Sequence, residues 1–287
     1  MAPKTEDLVQ KERMLHALLR QCGSVVIGYS GGVDSAYLAK ASLAALGDRR
    51  VLAVTGRSPS YPAVQREVAV RVARSIGLPH LEIETHELDD PHYAANPNDR
   101  CYFCKADLFA RLTAVARQRG FQVVLDGSNA DDLDDFRPGL KAARELGVRS
   151  PLQEAGLSKE EIRALSRRAG LPTWDLPASP CLASRIQYGL PVTQGRLRQI
   201  ESAEAGLRTL AQWQALRVRH HGDFVRVEVD REDLWRFVDA AFRARAIRIL
   251  KDAGFARACL DLSGYRRGAL NEPVESGELA EPGEARR

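Results

Sequence analysis

The sequence lacks any apolar run that approaches the length of a membrane span, so we expect no transmembrane segment. Its first residues, Met-Ala-Pro-Lys-Thr-Glu-Asp, lack the charged-then-apolar order of a signal peptide, and we expect a cytoplasmic protein. Cysteine is scarce, with 5 among 287 residues. Because that number is odd and the cytoplasm is reducing, the cysteines are expected to be ligands or nucleophiles rather than partners in structural disulfides.

A strong charge of one sign is also absent. The 42 lysines and arginines and the 38 acidic residues leave a formal charge of +4, and acidic residues interleave with the arginines. A nucleic-acid-binding protein is expected to have a clustered basic face, so we expect no nucleic acid and no membrane as a partner. The chain is long enough for one large domain or two smaller ones.

The most specific motif follows an apolar strand at residues 25–28. Residues 30–35 read Ser-Gly-Gly-Val-Asp-Ser and lead into an Ala- and Leu-rich helix. Two successive glycines let the backbone turn so that several N–H groups point at one spot beside a helix N-terminus, which favours phosphate binding. The loop has no lysine, so it is not a Walker-A loop. The alternatives are a Gly-Gly turn without a ligand and, for Asp34, an acid that only stabilises the helix N-terminus.

Strands and helices alternate after an amphipathic helix at residues 5–22. The further strands are predicted at 51–55, 81–84 and 122–125, and the helices between them at 62–76 and 106–118. This alternation predicts an α/β fold with a parallel, doubly wound sheet, which binds ligands at the carboxyl ends of its strands. Residues 30–35 lie at one such end.

The pattern changes after a loop rich in Pro, Ser and Ala at residues 173–191. Helices at 193–210 and 232–253 and strands at 215–220, 224–229 and 257–260 predict a small α+β domain. We place the boundary near Gly189, with domains at 1–188 and 189–268. Residues 269–287 are predicted to be a disordered tail because they are short of large apolar side chains.

Three of the five cysteines are candidates for one shared site. Cys101 and Cys104 form a C-x-x-C motif, and Cys181 follows in the Pro- and Ser-rich loop. Two thiolates from C-x-x-C and a third from a loop would leave one position of a tetrahedral or cubane centre open. For Cys22 and Cys259, at the end of a helix and in an apolar strand, we expect small buried hydrophobic side chains.

Three kinds of chemistry fit these three thiols. A [4Fe–4S] cluster would leave one iron free to bind an exogenous sulfide. A zinc site would need a fourth ligand, which His92 or His86 could supply, although neither stands at a motif spacing. A redox trio could form a persulfide on one cysteine and resolve it with another.

Residues 30–35 match the pyrophosphate loop, SGGxDS, of the ATP pyrophosphatase (PP-loop) superfamily, whose members adenylate a substrate oxygen with ATP. From the first strand to about residue 260, the chain closely resembles one family of that superfamily, the LarE family. The motifs that carry the resemblance, in the family's order, are residues 30–35, 101–104, 126–132, 136–140, 150–152, 180–185 and 217–220.

The resemblance implies an ATP-dependent sulfurtransferase that makes the nickel-pincer nucleotide cofactor of lactate racemase. In the family, ATP and Mg²⁺ adenylate a carboxylate of pyridinium-3,5-biscarboxylic acid mononucleotide, and a sulfur nucleophile then displaces AMP. One branch has a single cysteine at the position of Cys181 and gives up that sulfur. This chain also has Cys101 and Cys104, so it resembles the branch in which three cysteines hold a [4Fe–4S] cluster that receives sulfide from a donor.

The resemblance also implies roles for residues outside the cysteine motif. It implies that the ATP site consists of Ser30, Gly31, Gly32, Asp34, Ser35, Asp126, Asn129, Asp132 and Arg137. It implies that the phosphate of the substrate nucleotide is bound by Ser184, Arg185, Arg217 and Arg219. Alternation on a strand puts Arg217 and Arg219 on one face, and without the resemblance we would expect that face to be solvated.

Two single residues and one rival function remain open. Glu228 is a weak candidate for a carboxylate metal ligand, with an exposed strand glutamate as the alternative. Trp174 could stack on a ligand or simply pack. The rival function is 2-thiolation of tRNA, which also combines a pyrophosphate loop with cluster cysteines but would require a broad basic face. The family resemblance further implies a homo-oligomer.

Overall fold

The computed structural model describes residues 5–133, 138–177, 179–213 and 215–266. The predicted tail at 269–287 and Arg137 lie outside these residues. The helices of the described chain are α1 (Thr5–Gln21), α2 (Val33–Leu46), α3 (Ala63–Ser75), α4 (Pro91–Ala94), α5 (Arg100–Arg119), α6 (Pro138–Glu145), α7 (Pro151–Glu154), α8 (Lys159–Arg168), α9 (Gln194–Ala211) and α10 (Ala240–Asp252). The strands are β1 (Val25–Gly28), β2 (Val51–Arg57), β3 (His80–Glu84), β4 (Val123–Leu125), β5 (Leu216–His220), β6 (Val225–Val229) and β7 (Ala258–Leu260).

The first sheet has the strand order β3-β2-β1-β4, and all of its strands are parallel. Ile27 of β1 pairs with Ala53 of β2 on one side and with Leu125 of β4 on the other. Helices cover the sheet on both faces, in two separate buried clusters. The predicted α/β class is confirmed. The chain moves outward from β1 to β3 and then returns to the other side of β1, so β1 and β4 flank the switch point where such sheets bind ligands.

The second sheet has the order β5-β6-β7, with β5 antiparallel and β7 parallel to β6. Helices α9 and α10 pack on it around a third buried cluster. The same cluster includes Tyr93, Leu182 and Ile186 from before the predicted boundary at Gly189. The loop that carries Cys181 is therefore attached to the core of the second unit.

The helix predicted at 232–253 is wrong in its first half. Residues Arg231–Val238 form 3-10 turns, and α10 begins after Asp239. The carboxylate of Asp239 accepts a hydrogen bond from the N–H of Phe242 at 2.6 Å, which caps a new helix instead of continuing an old one. Among the described helices, none combines the length and apolar character that a bilayer span requires.

Candidate active site

The loop between β1 and α2 has the geometry of a phosphate cradle. Gly31 adopts a φ of +66°, and a Cβ at this position would lie 2.5 Å from the Cα of Ala69. Only glycine fits there. The hydroxyls of Ser30 and Ser35 lie 3.2 Å apart, and the Ser30 hydroxyl accepts from the N–H of Gly32 at 3.4 Å. Donors from both ends of the loop thus face one another at the N-terminus of α2.

The segment after β4 closes the other side of this loop. A Cβ at Gly127 would lie 3.2 Å from the backbone N of Ser35, so the two backbones approach closely. Asn129 is buried and donates from Nδ2 to Asp34 at 3.4 Å, while its backbone N–H donates to Asp132 at 3.0 Å. Asp126 accepts from the hydroxyl of Ser150 at 2.7 Å. The structure therefore brings the described members of the predicted ATP site to one edge of the sheet.

Asp34 has a partner that the sequence analysis missed. The ammonium group of Lys159, the first residue of α8, forms an ion pair with Oδ2 of Asp34. The other oxygen, Oδ1, is buried and has no hydrogen-bond partner among the described residues. A capping box between Ser158 and Glu161 fixes the start of α8. The S-x-x-E pattern at 158–161 was a signal in the sequence for this helix.

One short segment after β2 connects the phosphate loop to the Cys181 loop. The hydroxyl of Tyr61 donates to the carbonyl of Ser30 at 2.8 Å. The neighbouring Ser60 accepts, through its carbonyl, a hydrogen bond from the N–H of Leu182 at 2.8 Å. The Ser60 hydroxyl also lies 2.8 Å from the hydroxyl of buried Tyr93. The two loops are therefore linked through adjacent residues of one backbone segment.

The C-x-x-C motif lies in the first turn of α5. Cys101 is exposed, whereas Cys104 and Cys181 are half-buried and pack against the same hydrophobic cluster. Burial, the charge of Glu87 and the charge of Cys181 raise the pKa of the Cys104 thiol far above its usual value. The pKa of Tyr93 is raised by burial and then by the charges of Cys181 and Cys104, which agrees with Tyr93 lying beside both thiols. The described structure gathers no group of three or more His, Cys, Asp or Glu side chains that could hold a metal ion.

Arg185 holds the Cys181 loop from inside the protein. Its side chain is 1% exposed, and its Nε donates to Oε1 of Glu204 at 3.0 Å. Its Nη1 donates to the carbonyl of Cys181 at 2.9 Å and also to that of Pro180. Burial opposes ionisation of Glu204, but the charge of Arg185 and its hydrogen bond keep the pKa of this carboxyl below its usual value. The predicted phosphate contact of Arg185 stays a prediction, and Glu204 is a site residue that the sequence analysis missed.

The arginine face of β5 is buried, not solvated. Arg217 and Arg219 are 6% and 7% exposed, and Nη1 of Arg219 donates to the carbonyl of Ser184 at 2.9 Å. Burial and the charge of Arg185 lower the pKa of Arg217. Glu228 is fully buried, and its Oε1 accepts from Arg219 and Arg226, at 3.0 Å each. The alternative of an exposed glutamate is therefore wrong, and the described partners of Glu228 are arginines.

The remaining candidates lie apart from the three cysteines or have other partners. Cys22 is buried as predicted, but Cys259 is exposed because β7 is a short edge strand, so that expectation was wrong. Trp174 stacks with the guanidinium of Arg167, 4.9 Å from the ring centre, as a packing residue would. His92 stacks on Phe103 with 5.2 Å between ring centres and belongs to no metal-binding group in the part of the chain described.

Comparison with known proteins shows which family this chain is similar to. A family model described as NAD synthase matches residues 8–125, which hold the phosphate loop and the first sheet. An uncharacterized protein of Synechocystis is 41% identical over 264 residues, covering 92% of this chain and 98% of that protein. The pyridinium-3,5-bisthiocarboxylic acid mononucleotide synthase of Lactiplantibacillus plantarum is 35% identical over 273 residues, covering 95% of this chain and 98% of that protein.

The chain belongs to the LarE family. An uncharacterized protein of Methanocaldococcus jannaschii, 28% identical over 242 residues, covers 84% of this chain. The similarity to the L. plantarum synthase runs through both sheets, so this LarE-family chain shares more with it than the first sheet and the loop at residues 30–35.

Proposed function

We propose that this protein is an ATP-dependent sulfurtransferase that converts the carboxylates of pyridinium-3,5-biscarboxylic acid mononucleotide to thiocarboxylates for the nickel-pincer cofactor. One observation carries the proposal beyond family membership. The phosphate loop and the Cys181 loop are each hydrogen-bonded to one of two adjacent residues, Tyr61 and Ser60. Activation by ATP and delivery of sulfur require two such loops within reach of one substrate carboxylate.

In the first step, the substrate carboxylate oxygen attacks the α-phosphorus of ATP. The bond from that phosphorus to the bridging oxygen of the β-phosphate breaks, and pyrophosphate leaves with the electron pair. The N–H groups of Gly31 and Gly32 and the hydroxyls of Ser30 and Ser35 would bind the β- and γ-phosphates. The carboxylate of Asp34 would hold Mg²⁺, for which oxygen ligands are suited, and its buried Oδ1 supports this assignment.

In the second step, a hydrosulfide attacks the carbonyl carbon of the acyl-adenylate. The bond from carbon to the AMP oxygen breaks, AMP leaves, and the hydrosulfide proton passes to solvent. Sulfur and carbon keep their oxidation states, so this step needs no oxidant or reductant. The phosphate of the substrate nucleotide would be bound by Arg217 and Arg219 of β5 and by Ser184 in the turn that follows Cys181. Arg185 would support this site by fixing the carbonyl of Cys181.

The sulfur source in this proposal is a [4Fe–4S] cluster on Cys101, Cys104 and Cys181. The support is chemical: three thiols are the donor set that such a cluster takes, and two of them, Cys104 and Cys181, pack on the same buried cluster, while the described residues hold no preformed metal-binding group. When bound, such a cluster supplies one iron without a protein ligand, where sulfide from a donor can bind.

The test is anaerobic reconstitution with iron and sulfide, followed by metal analysis and turnover with ATP and the pyridinium substrate. We expect about four irons per chain, loss of iron in Cys104→Ala and Cys181→Ala, and more than one thiocarboxylate per chain. Both variants should still release pyrophosphate, because adenylation uses the other loop.

The control is Cys259→Ala, which removes an exposed thiol outside this group. Unchanged iron content in the Cys104 and Cys181 variants would contradict the cluster. Loss of H₂S mass from Cys181 after a single turnover, without iron, would show that Cys181 is the sacrificial sulfur donor.

A further inference from the structure

The phosphate loop has no lysine of its own, yet a lysine ammonium group lies at it. Asp34 is the one acidic residue in residues 30–35, and Lys159 is ion-paired with it from α8, 125 positions away in the chain. The side chain of Lys159 is 31% exposed and that of Asp34 is 19% exposed. The ammonium therefore lies at the mouth of the loop, where solvent and a ligand can reach it.

The backbone around Lys159 is fixed independently of its side chain. The N–H of Lys159 donates to the carboxylate of Asp131 at 2.8 Å, which ties the start of α8 to the segment after β4. Helix α8 also packs against α2, the helix that begins at the phosphate loop. Because both ends of the ion pair are anchored to rigid elements, the ammonium needs only side-chain rotation to move along the loop.

We propose that Lys159 binds the β- and γ-phosphates of ATP. When ATP binds, the ammonium group of Lys159 leaves Asp34 and contacts the nucleotide, and the carboxylate of Asp34 then binds Mg²⁺. The proposal rests on the proposed use of ATP at this loop. In the unliganded protein Asp34 and Lys159 neutralise each other. Mg·ATP brings both a cation for the carboxylate and an anion for the ammonium, so each partner finds a new counter-charge.

This contact would act most strongly during adenylation. When the bond from the α-phosphorus breaks, the departing pyrophosphate gains the electron pair and the negative charge on it increases. A fixed ammonium beside it stabilises that charge more than the charge of bound ATP. Lys159 stays protonated throughout, and no proton or electron passes through it.

The test compares Lys159→Met and Lys159→Arg with Lys11→Met. Lys11 forms a 2.8 Å ion pair with Glu161, so its removal loosens the same helix without changing the charge at the loop. Binding of Mg·ATP and of AMP is measured by calorimetry, and pyrophosphate release is measured with the pyridinium substrate.

We expect Lys159→Met to weaken Mg·ATP binding by about 10-fold to 100-fold, the effect of losing one charge-assisted hydrogen bond. AMP, which lacks the β- and γ-phosphates, should bind as it does to the wild type. Pyrophosphate release should fall by about 100-fold or more, Lys159→Arg should recover part of it, and Lys11→Met should leave it unchanged.

Two results would overturn the inference. Equal losses of ATP and AMP affinity in Lys159→Met would show that Lys159 only holds the loop in shape. Wild-type ATP affinity and pyrophosphate release in Lys159→Met would show that the ammonium does not contact the nucleotide. Failure of the proposed function would give a different result: the wild-type protein would release no pyrophosphate with the pyridinium substrate. The comparison of ATP binding with AMP binding would still test the role of Lys159.

Discussion

Replacing Glu204 by alanine tests whether a buried ion pair holds the Cys181 loop. Glu204 accepts from Arg185 through both oxygens, at 3.0 and 3.3 Å, and from the backbone N–H of Val218 at 3.2 Å. Arg208 lies 3.2 Å from the same carboxylate. The change leaves the guanidinium of Arg185, almost fully buried, without its counter-charge.

The expected loss follows from that burial. Removing one partner of a buried ion pair costs about 3 to 5 kcal/mol, because the other charge stays in a poorly solvating environment. Glu201→Ala is the matched control on α9. Glu201 is half-buried and accepts one hydrogen bond, from the N–H of Ala63 at 2.7 Å, so we expect a loss of about 1 kcal/mol.

Urea unfolding followed by circular dichroism measures both losses, and the denaturant slope shows whether the unfolding remains two-state. The double variant Arg185→Met/Glu204→Leu should recover most of the stability, because apolar side chains can replace a buried pair. It should not recover sulfur transfer, because the bonds from Arg185 to the carbonyls of Pro180 and Cys181 are gone. A loss below about 1 kcal/mol in Glu204→Ala would refute the reasoning.

Three further predictions follow from local geometry. Iodoacetamide should alkylate exposed Cys101 well before Cys104, whose raised pKa keeps the thiol protonated, as mass spectrometry of metal-free protein would show. Gly31→Ala should destabilise the protein by about 2 kcal/mol or more, because alanine would be strained at a φ of +66° and its Cβ would lie 2.5 Å from the Cα of Ala69. The same change should abolish ATP binding, which calorimetry would measure. Burial and the charge of Arg196 lower the pKa of His220 from 6.5 to about 4, so the unfolded chain takes up a proton first as the pH falls. Stability to urea should therefore drop by up to about 3 kcal/mol between pH 6.5 and 4, and His220→Gln should remove that part of the drop.

The sheet and its switch point were predictable because they depend on local signals. Apolar strands at 25–28, 51–57 and 123–125 alternate with helices, and Gly31 marks the turn that follows β1. The break before α10 was not predicted, since Asp239 reads as an ordinary polar residue on a helix. Only its hydrogen bond to the N–H of Phe242 shows that it starts a helix.

Lys159 and Glu204 were missed for a different physical reason. Each is a charged residue on an amphipathic helix, a pattern that usually indicates a solvated face, and its partner lies on another element. Lys159 reaches Asp34 across 125 positions, while Glu204 reaches Arg185 from the helix that covers the Cys181 loop. Sequence periodicity carries no information on such pairings, because they arise only when the elements pack.

For the presence of an anion site in this protein, the location of the arginines matters more than their number. A formal charge of +4 spread over 287 residues gives little reason to expect an anion site. Yet Arg185, Arg217 and Arg219 are nearly fully buried beside one turn, and the carboxylates of Glu204 and Glu228 pair with two of them. Keeping three guanidinium groups out of water is costly unless they have counter-charges. Glu204 and Glu228 hold two of these guanidinium groups in place, so that Arg185 binds the carbonyl of Cys181 and Arg219 binds the carbonyl of Ser184, in the turn where we propose that the substrate phosphate binds.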